Sequence, residues 1–474
     1  MAGHATIALY PTLNTDTVSY ILDHSDSRMV FVGRLDDWDE IKQGIPDDMP
    51  GIALPMSPDT KYENWDDVIA RHEPISDSPS PPAEQLAMMV YTSGSTGRPK
   101  GVMHSFGSAS IPARHLIQEQ DISADDRVLS YLPLAHVMER ATVECASFYS
   151  GTQIYFSESL DTFVQDLNRA RPTIFISVPR LRLKFQQGVF QKFPAKRLDR
   201  LLKIPIVRGM VRKKVLSGLG LDQVRLAGSG SAPLPAELIE WYDKLGLNIV
   251  EGYGMSEDFA YSHMSTPEKR RPGYVGVTPA GVETRISEAG EILIKSPGNM
   301  VGYYKQPEAT AECYTEDGYF KTGDRGEYSP DGLLKITGRV KELFKTSKGK
   351  YVAPVPIENL LNSDNHVELA CVSGLGRPAC YAVLQLGQEW RDKMDDPGTR
   401  ASITAELEKL LAQVNAQVES YEQLQFLVVL RDQWDIANNF LTPTLKIKRD
   451  VIEATYEPYL DDWYASRQKI IWQD

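Results

Sequence analysis

The chain has 474 residues, 42% of them apolar and 24% charged, with a formal net charge of −13. That length leaves room for two or three domains and a large core, and the acidic balance argues against a global attraction to nucleic acid or anionic lipid. No run approaches the length of a membrane span, and the first residues lack the basic flank and apolar core of a signal peptide. Cys145, Cys313, Cys371 and Cys380 show no Cys-x-x-Cys or Cys/His ligand spacing. They are expected as reduced thiols of a cytoplasmic protein.

The order of the N-terminus reads strand, helix, strand over residues 7–32, from Ile7 to Val32. A Pro/Ser-rich connector at 73–84 leads to an apolar run at 86–90, which predicts the end of a buried strand. Residues 91–105 follow, with Ser, Thr and Gly too dense for a helix or strand. Gly94, Gly97 and Gly101 permit a left-handed backbone and close approach to a ligand. Thr92, Ser93, Ser95 and Thr96 add hydroxyls, and Lys100 adds a point charge. Such a loop can wrap polyphosphate with amide and hydroxyl donors. It is not a Walker A loop, because the Gly-Lys-Ser/Thr element is absent from it.

Residues 128–134 predict a strand ending at Ala135 and His136, with further strands at 154–156 and 174–178. Strands alternating with helical patterns predict an α/β fold with a doubly wound, mostly parallel sheet. Residues 180–214 break the acidic character, with twelve Lys and Arg against a single acid, Asp199. Leu198, Leu201 and Leu202 recur at helical spacing and predict a basic amphipathic helix. Three readings stay open for it: a solvated face, contact with the phosphates of a ligand, and contact with an anionic membrane.

Strand-to-turn transitions recur at 224–233 and 249–257, where small residues let the backbone lie against a flat ring. In open α/β sheets, ligands collect at such carboxyl ends. Residues 290–340 predict short strands and turns of a barrel-like subdomain, including strands at 290–294 and 300–304 and a turn carrying Asp324. A basic Gly turn at 345–351 leads into a helix, followed by strands at 369–373 and 380–386. Ile403, Leu407, Leu410, Leu411, Val414 and Val418 share one helical face and read as core.

The pattern Tyr-Thr-Ser-Gly-Ser-Thr-Gly-x-Pro-Lys-Gly at 91–101 resembles the phosphate loop of the acyl-adenylate-forming superfamily. Further matching motifs stand in family order along nearly the whole chain, and the resemblance is nearest to bacterial long-chain fatty acyl-CoA synthetases. It implies a large domain over 1–340, a small mobile α+β domain over 341–474, and a hinge at Lys341. It also implies that an earlier segment of the large domain is missing before the first strand.

The resemblance further implies ATP, Mg²⁺ and coenzyme A as cofactors, with Thr92, Ser93, Gly94, Ser95, Thr96, Gly97 and Lys100 around phosphate. His136 matches a Leu-Pro-x-x-His element beside the acyl carboxylate. Gly228, Ser229, Gly230, Ser231, Ala232 and Pro233 would line the adenine pocket. The second turn supplies Glu251, Gly252, Tyr253 and Gly254, with Tyr253 stacked on adenine. Ser256, where the superfamily usually has Thr, would bond the α-phosphate, and Glu257 would hold Mg²⁺. Asp324 would accept the ribose hydroxyls, Arg339 would contact ribose and phosphate, and Gly349 would lie beside the pantetheine. Lys446 aligns with the catalytic lysine, with Lys448 as the rival. The implied activity is ATP-dependent conversion of a medium- to long-chain fatty acid to acyl-CoA. Two alternatives stay open: an adenylating enzyme that loads another acceptor such as a carrier protein, and a truncated pseudoenzyme that binds only nucleotide or acyl ligand. A homodimer, and peripheral membrane contact through 180–214, also stay open.

Overall fold

A computed structural model describes residues 3–77, 79–92, 98–442 and 445–473. Its central element is a six-stranded sheet, running from edge to edge through His263–Met264, Ile249–Tyr253, Leu226–Ser229, Ile174–Ser177, Arg127–Ser130 and Gln153–Phe156. All pairings are parallel except that of the short edge strand His263–Met264. Alternate residues of each central strand pack on opposite faces, as a strand period of two dictates. Leu129, Phe175, Ala227 and Ile249 join one core, whereas Val128, Ile174, Leu226 and Val250 join another. Helices from the connections cover the first face; Trp241, Tyr242 and Leu245 come from the helix Ala236–Leu245.

A second sheet pairs Thr6–Ile7, Leu86–Thr92, Lys100–Ser105 and Gly302–Tyr303. Helix Phe106–Glu119 leaves it through a reciprocal cap. The Ser108 amide donates to Ser105 Oγ at 3.1 Å and the Ser105 amide to Ser108 Oγ at 2.9 Å, satisfying two otherwise orphaned donors. Ala109 and Ala113 of this helix pack with Val137, Ala141 and Cys145, so the helix is buried within the large domain.

Several local expectations need correction. The strands on either side of the helix Thr15–His24 do not form one unit: Thr6–Ile7 pairs with Leu86–Thr92, while Val30–Val32 pairs with Gly51–Ala53 in a separate sheet. Lys100 and Gly101 lie in a strand rather than a loop, and Gly101 has no left-handed φ. Its lack of a side chain serves packing instead, since a Cβ there would meet the Tyr91 ring at 3.1 Å. Gly94 and Gly97 fall outside the described residues, with Ser93, Ser95 and Thr96. The basic stretch is three helices, Pro179–Lys192, Ala195–Leu202 and Pro205–Gly218, each opened by or just after a proline. Arg182 is no part of a solvated face, because it is fully buried between the rings of Phe175 and Tyr242.

The barrel-like region is a four-stranded antiparallel sheet, Glu283–Ile286, Glu291–Lys295, Phe320–Tyr328 and Leu334–Arg339. The strand Gly302–Tyr303 is not part of it, because it pairs with Lys100–Ser105. Beyond it a C-terminal domain has its own four-stranded sheet, Val367–Ser373, Cys380–Leu386, Leu424–Val429 and Ile470–Trp472. Both faces of this sheet are covered. Ala382 and Leu384 pack against Leu407 and Leu411 of the helix Pro397–Asn415, and Tyr381 and Val383 pack with Trp434 and Tyr456. Ile403, Leu410 and Val414 are core, as their spacing predicts, and Val418 packs beside them just past the helix end.

Candidate active site

The parallel strands of the six-stranded sheet deliver three loops to one cleft of about 1820 Å³. The loop after Leu226–Ser229 brings Gly230, Ser231, Ala232 and Pro233, and Gly228 and Ser229 line the cleft from the strand itself. Ser231 takes a left-handed φ of 68°, which costs a non-glycine residue on the order of 1 kcal/mol and is held by its surroundings. The loop after Ile249–Tyr253 contributes Gly254, Ser256 and Glu257. Gly254 is sterically required: a Cβ would lie 2.6 Å from the Ala260 backbone. His136 arrives from the loop after Arg127–Ser130 and caps the short helix that follows, accepting the Met138 amide at 3.2 Å through Nδ1.

Asp324 is not on an exposed turn. It lies within the strand Phe320–Tyr328, buried, directly opposite Arg339 on the neighbouring strand. Its Oδ2 accepts the Tyr253 hydroxyl at 2.8 Å and its Oδ1 accepts Arg339 Nε at 3.0 Å. This bridge ties the antiparallel sheet to the end of a parallel strand. Arg339 is half-exposed on the concave wall, where surrounding protein atoms work against its charge, but Asp324 and Glu342 outweigh them and raise its pKa. Burial pushes the Tyr253 phenol well above its usual range, so its hydroxyl stays a donor.

Glu257 accepts the Tyr303 hydroxyl at 2.9 Å. Burial raises its pKa, while Tyr303, Arg339 and Lys100 favour the ionised form. The Lys100 ammonium sits 4.7 Å from the centroid of the Tyr303 ring, so strand, ring and carboxylate form one cluster. Among the described residues no group of three metal-binding side chains occurs. A lone carboxylate suits Mg²⁺, which keeps water and substrate phosphates as its other ligands; Glu257 therefore fits that ion as one ligand.

The C-terminal domain contributes Lys446 to the same cleft. The residue keeps solvent-accessible surface because it faces a concave space, yet protein atoms crowd around it. That crowding lowers its pKa, helped by Arg339; Asp324, Glu342 and Glu257 pull the other way. The charge of Lys446 also reaches His136, whose pKa is lowered to about 4 by burial first and by this lysine second. His136 is therefore neutral at pH 7. Lys448, also at the cleft, is tied to the Asn439 side chain. Gly349 is exposed in the turn between Phe344–Lys345 and Tyr351–Val352 and does not line the cleft. The structure thus brings together the expected residues of 228–257 with Thr92, Lys100, His136, Asp324, Arg339 and Lys446, leaves Gly349 outside, and leaves 93–97 undescribed.

Three supporting side chains escaped the sequence reading. His104 bonds the Ser256 carbonyl at 2.7 Å through Nε2, across 152 residues. Tyr303 holds Glu257 from a strand of another sheet. Arg449, three residues after Lys446, makes a bidentate pair with Glu358 at 2.7 and 3.0 Å, which anchors the lysine-bearing segment to the helix Pro354–Leu361. No local pattern marks any of them, because each partner is distant in sequence.

The AMP-binding enzyme family profile matches residues 1–304, and the AMP-binding enzyme C-terminal domain profile matches 342–468. Human long-chain-fatty-acid–CoA ligase 1 is 28% identical, with 97% of this chain and 75% of the relative covered. Long-chain-fatty-acid–CoA ligase FadD15 of Mycobacterium bovis is also 28% identical, with 98% and 84% covered. Among solved structures, the A domain of carboxylic acid reductase from Segniliparus rugosus, in complex with AMP and a co-purified carboxylic acid, has a TM-score of 0.77 at 22% identity, covering 98% of this chain and 79% of that one. Anthranilate CoA ligase AuaEII with anthranoyl-AMP has a TM-score of 0.76 at 19% identity, covering 96% and 83%. Family profiles that together span most of the chain show that it belongs to the AMP-binding enzyme family.

Proposed function

We propose that this chain activates a medium- to long-chain fatty acid with ATP and transfers the acyl group to coenzyme A. The observation that carries the reading is the presence of Lys446, from the C-terminal domain, in one cleft with Glu257, Asp324 and Arg339 of the large domain. The names of relatives aligned over nearly the whole chain support the substrate class. So does an apolar side of the cleft, including Ala113, Leu116, Ala141, Ile176 and Val250, which suits an alkyl chain.

A carboxylate is a poor acyl donor, since its leaving group would be oxide. Its oxygen attacks the α-phosphorus of ATP, the bond to pyrophosphate breaks, and a mixed acyl-phosphate anhydride forms. Both reactants are anionic, so catalysis rests on alignment and charge neutralisation. Residues 92–97 with Lys100 would wrap the phosphates, Ser256 would bond the α-phosphate, and Lys446 would offset charge at the reacting oxygens. Mg²⁺ held by Glu257 would supply further neutralisation of the polyphosphate. Gly228 to Pro233 and Glu251 to Gly254 would form the adenine wall, with Tyr253 on the ring and Asp324 and Arg339 at the ribose. His136, neutral, can offer a hydrogen bond but no charge near the acyl carboxylate.

In the second step the thiol of coenzyme A loses its proton, attacks the acyl carbon and displaces AMP. Gly349 would approach the pantetheine only after the C-terminal domain turns about Lys341, with 1–340 and 341–474 moving as two bodies. The test is coenzyme-A-dependent AMP release over fatty acids of graded length, run beside pyrophosphate exchange. AMP release that requires both coenzyme A and a long chain is expected. Exchange that needs no coenzyme A, without acyl-CoA product, would replace the acceptor in this reading.

A further inference from the structure

The helix Pro205–Gly218 buries one side and leaves the other uncovered among the described residues. Val215 is buried and Val211 packs against the core of the six-stranded sheet. The opposite side carries Ile206, 88% exposed, and Met210, 67% exposed, one turn apart, with Ile204 beside them at 44%. Side chains of this kind are usually the ones a protein hides. Lys213 lies on the same side, three residues after Met210, and Lys203 precedes the helix; both are exposed, and neither makes a salt bridge among the described residues. In a chain of net charge −13 this is a local reversal of sign, coupled to bare apolar surface.

Two occupants with phosphate chemistry were open for this stretch. Coenzyme A in the cleft is disfavoured by position, because no residue between Ile176 and Leu226 lines the cleft. A nucleotide-sized anion also gives no reason for exposed Ile and Met at the same place. A bilayer surface explains both features at once: apolar tips enter the acyl boundary while cations meet anionic headgroups. We propose that the face formed by Ile204, Ile206 and Met210 with Lys203 and Lys213 docks on anionic phospholipid bilayers. No helix among the described residues is long and apolar enough to cross a membrane, so the contact is peripheral. The proposal does not depend on the ligase reading, since lipid binding is measured without turnover.

The test is co-sedimentation of the full chain with vesicles of phosphatidylcholine, with and without phosphatidylglycerol. Binding only to the anionic vesicles, weakening as salt is raised, is expected. Replacing Lys203 and Lys213 by Gln should weaken it roughly 25-fold, at about fivefold per charge near the surface. Ile206→Ser with Met210→Ser should weaken it about tenfold or more while leaving charge unchanged. Equal binding to both vesicle types, or undiminished binding of either variant, overturns the proposal. Should a variant lose its melting transition, the unmodified chain still decides, because binding that ignores salt overturns it as well.

Discussion

Arg180 of the large domain is paired with Glu368 of the C-terminal domain. Arg180 stands at the start of the helix Pro179–Lys192, and Glu368 on the strand Val367–Ser373. Glu368 is held from its own side too, by Gln385 at 3.1 Å and Arg391 at 3.3 Å. The acceptor is therefore preorganised, and in the proposed domain rotation Arg180 is the partner that lets go.

The first prediction concerns that contact. Arg180→Met should destabilise the orientation with Lys446 in the cleft. A partly exposed pair contributes up to about 1 kcal/mol, so pyrophosphate exchange should fall by roughly two- to fivefold. Thioester formation from supplied acyl-adenylate should be unchanged or faster. A loss in both half-reactions would show that Arg180 serves stability alone.

The second prediction concerns Glu257 and the Tyr303 hydroxyl at 2.9 Å from it. Glu257→Gln keeps shape but removes a hard oxygen ligand, and should lower adenylation about 10²-fold or more. Tyr303→Phe leaves the carboxylate in place without its donor. It should raise the Mg²⁺ concentration needed for half-maximal rate with a smaller loss at saturation. Mg²⁺ titrations that superimpose on the unmodified enzyme would remove Glu257 from this role.

Much of this site could be read before the fold was seen, because its residues cluster in short Gly- and Ser-rich runs at strand ends. Gly228 to Pro233 and Gly252 to Glu257 are local patterns that the structure places at the cleft, although the 2.6 Å Cβ clash at Gly254 is with the Ala260 backbone, a packing reason that the pattern does not reveal. Tyr303, His104 and Arg449 were illegible because their partners come from other sheets and helices. The N-terminal strands misled for a related reason. A strand–helix–strand order does not say which sheet each strand joins, and Thr6–Ile7 finds its partner at Met88 and Met89. Asp324 looked like a turn residue from its preceding Gly, yet strand pairing with Arg339 buries it.

The third prediction is a pH dependence of stability. His104 is fully buried, with its pKa lowered by burial to about 4, against a backbone bond to Ser256 that pulls upward. The unfolded chain binds this proton near pH 6.5, the folded chain only near 4, so stability is complete above 6.5 and falls as pH drops toward 4. At pH 5 the loss from this residue is about 2 kcal/mol. Urea unfolding at pH 7 and pH 5 should show that decline, and His104→Gln should flatten it even if the variant is less stable throughout. A slope identical in both proteins would mean that His104 does not titrate in this range.

The last prediction separates the two half-reactions through two lysines. Lys446 lies in the cleft with Glu257, Asp324 and Arg339, while Gly349 stands exposed outside it. This arrangement suits adenylation and leaves the proposed pantetheine contact unmade. Lys446→Ala should cut acyl-adenylate formation by roughly 10²- to 10³-fold, the scale for one preorganised donor, and spare conversion of supplied acyl-adenylate. Lys341→Pro should do the reverse, because a fixed φ obstructs rotation at the proposed hinge while the present orientation survives. Lys448→Ala serves as the control for assignment, since Lys448 is tied to Asn439 rather than to the acidic groups around Lys446. Loss of global stability cannot produce this crossed pattern, because unfolding depresses both half-reactions together. Equal loss of both halves in Lys446→Ala and Lys341→Pro rules out alternation of domains, and the Lys446 pattern appearing in Lys448→Ala transfers the role to Lys448.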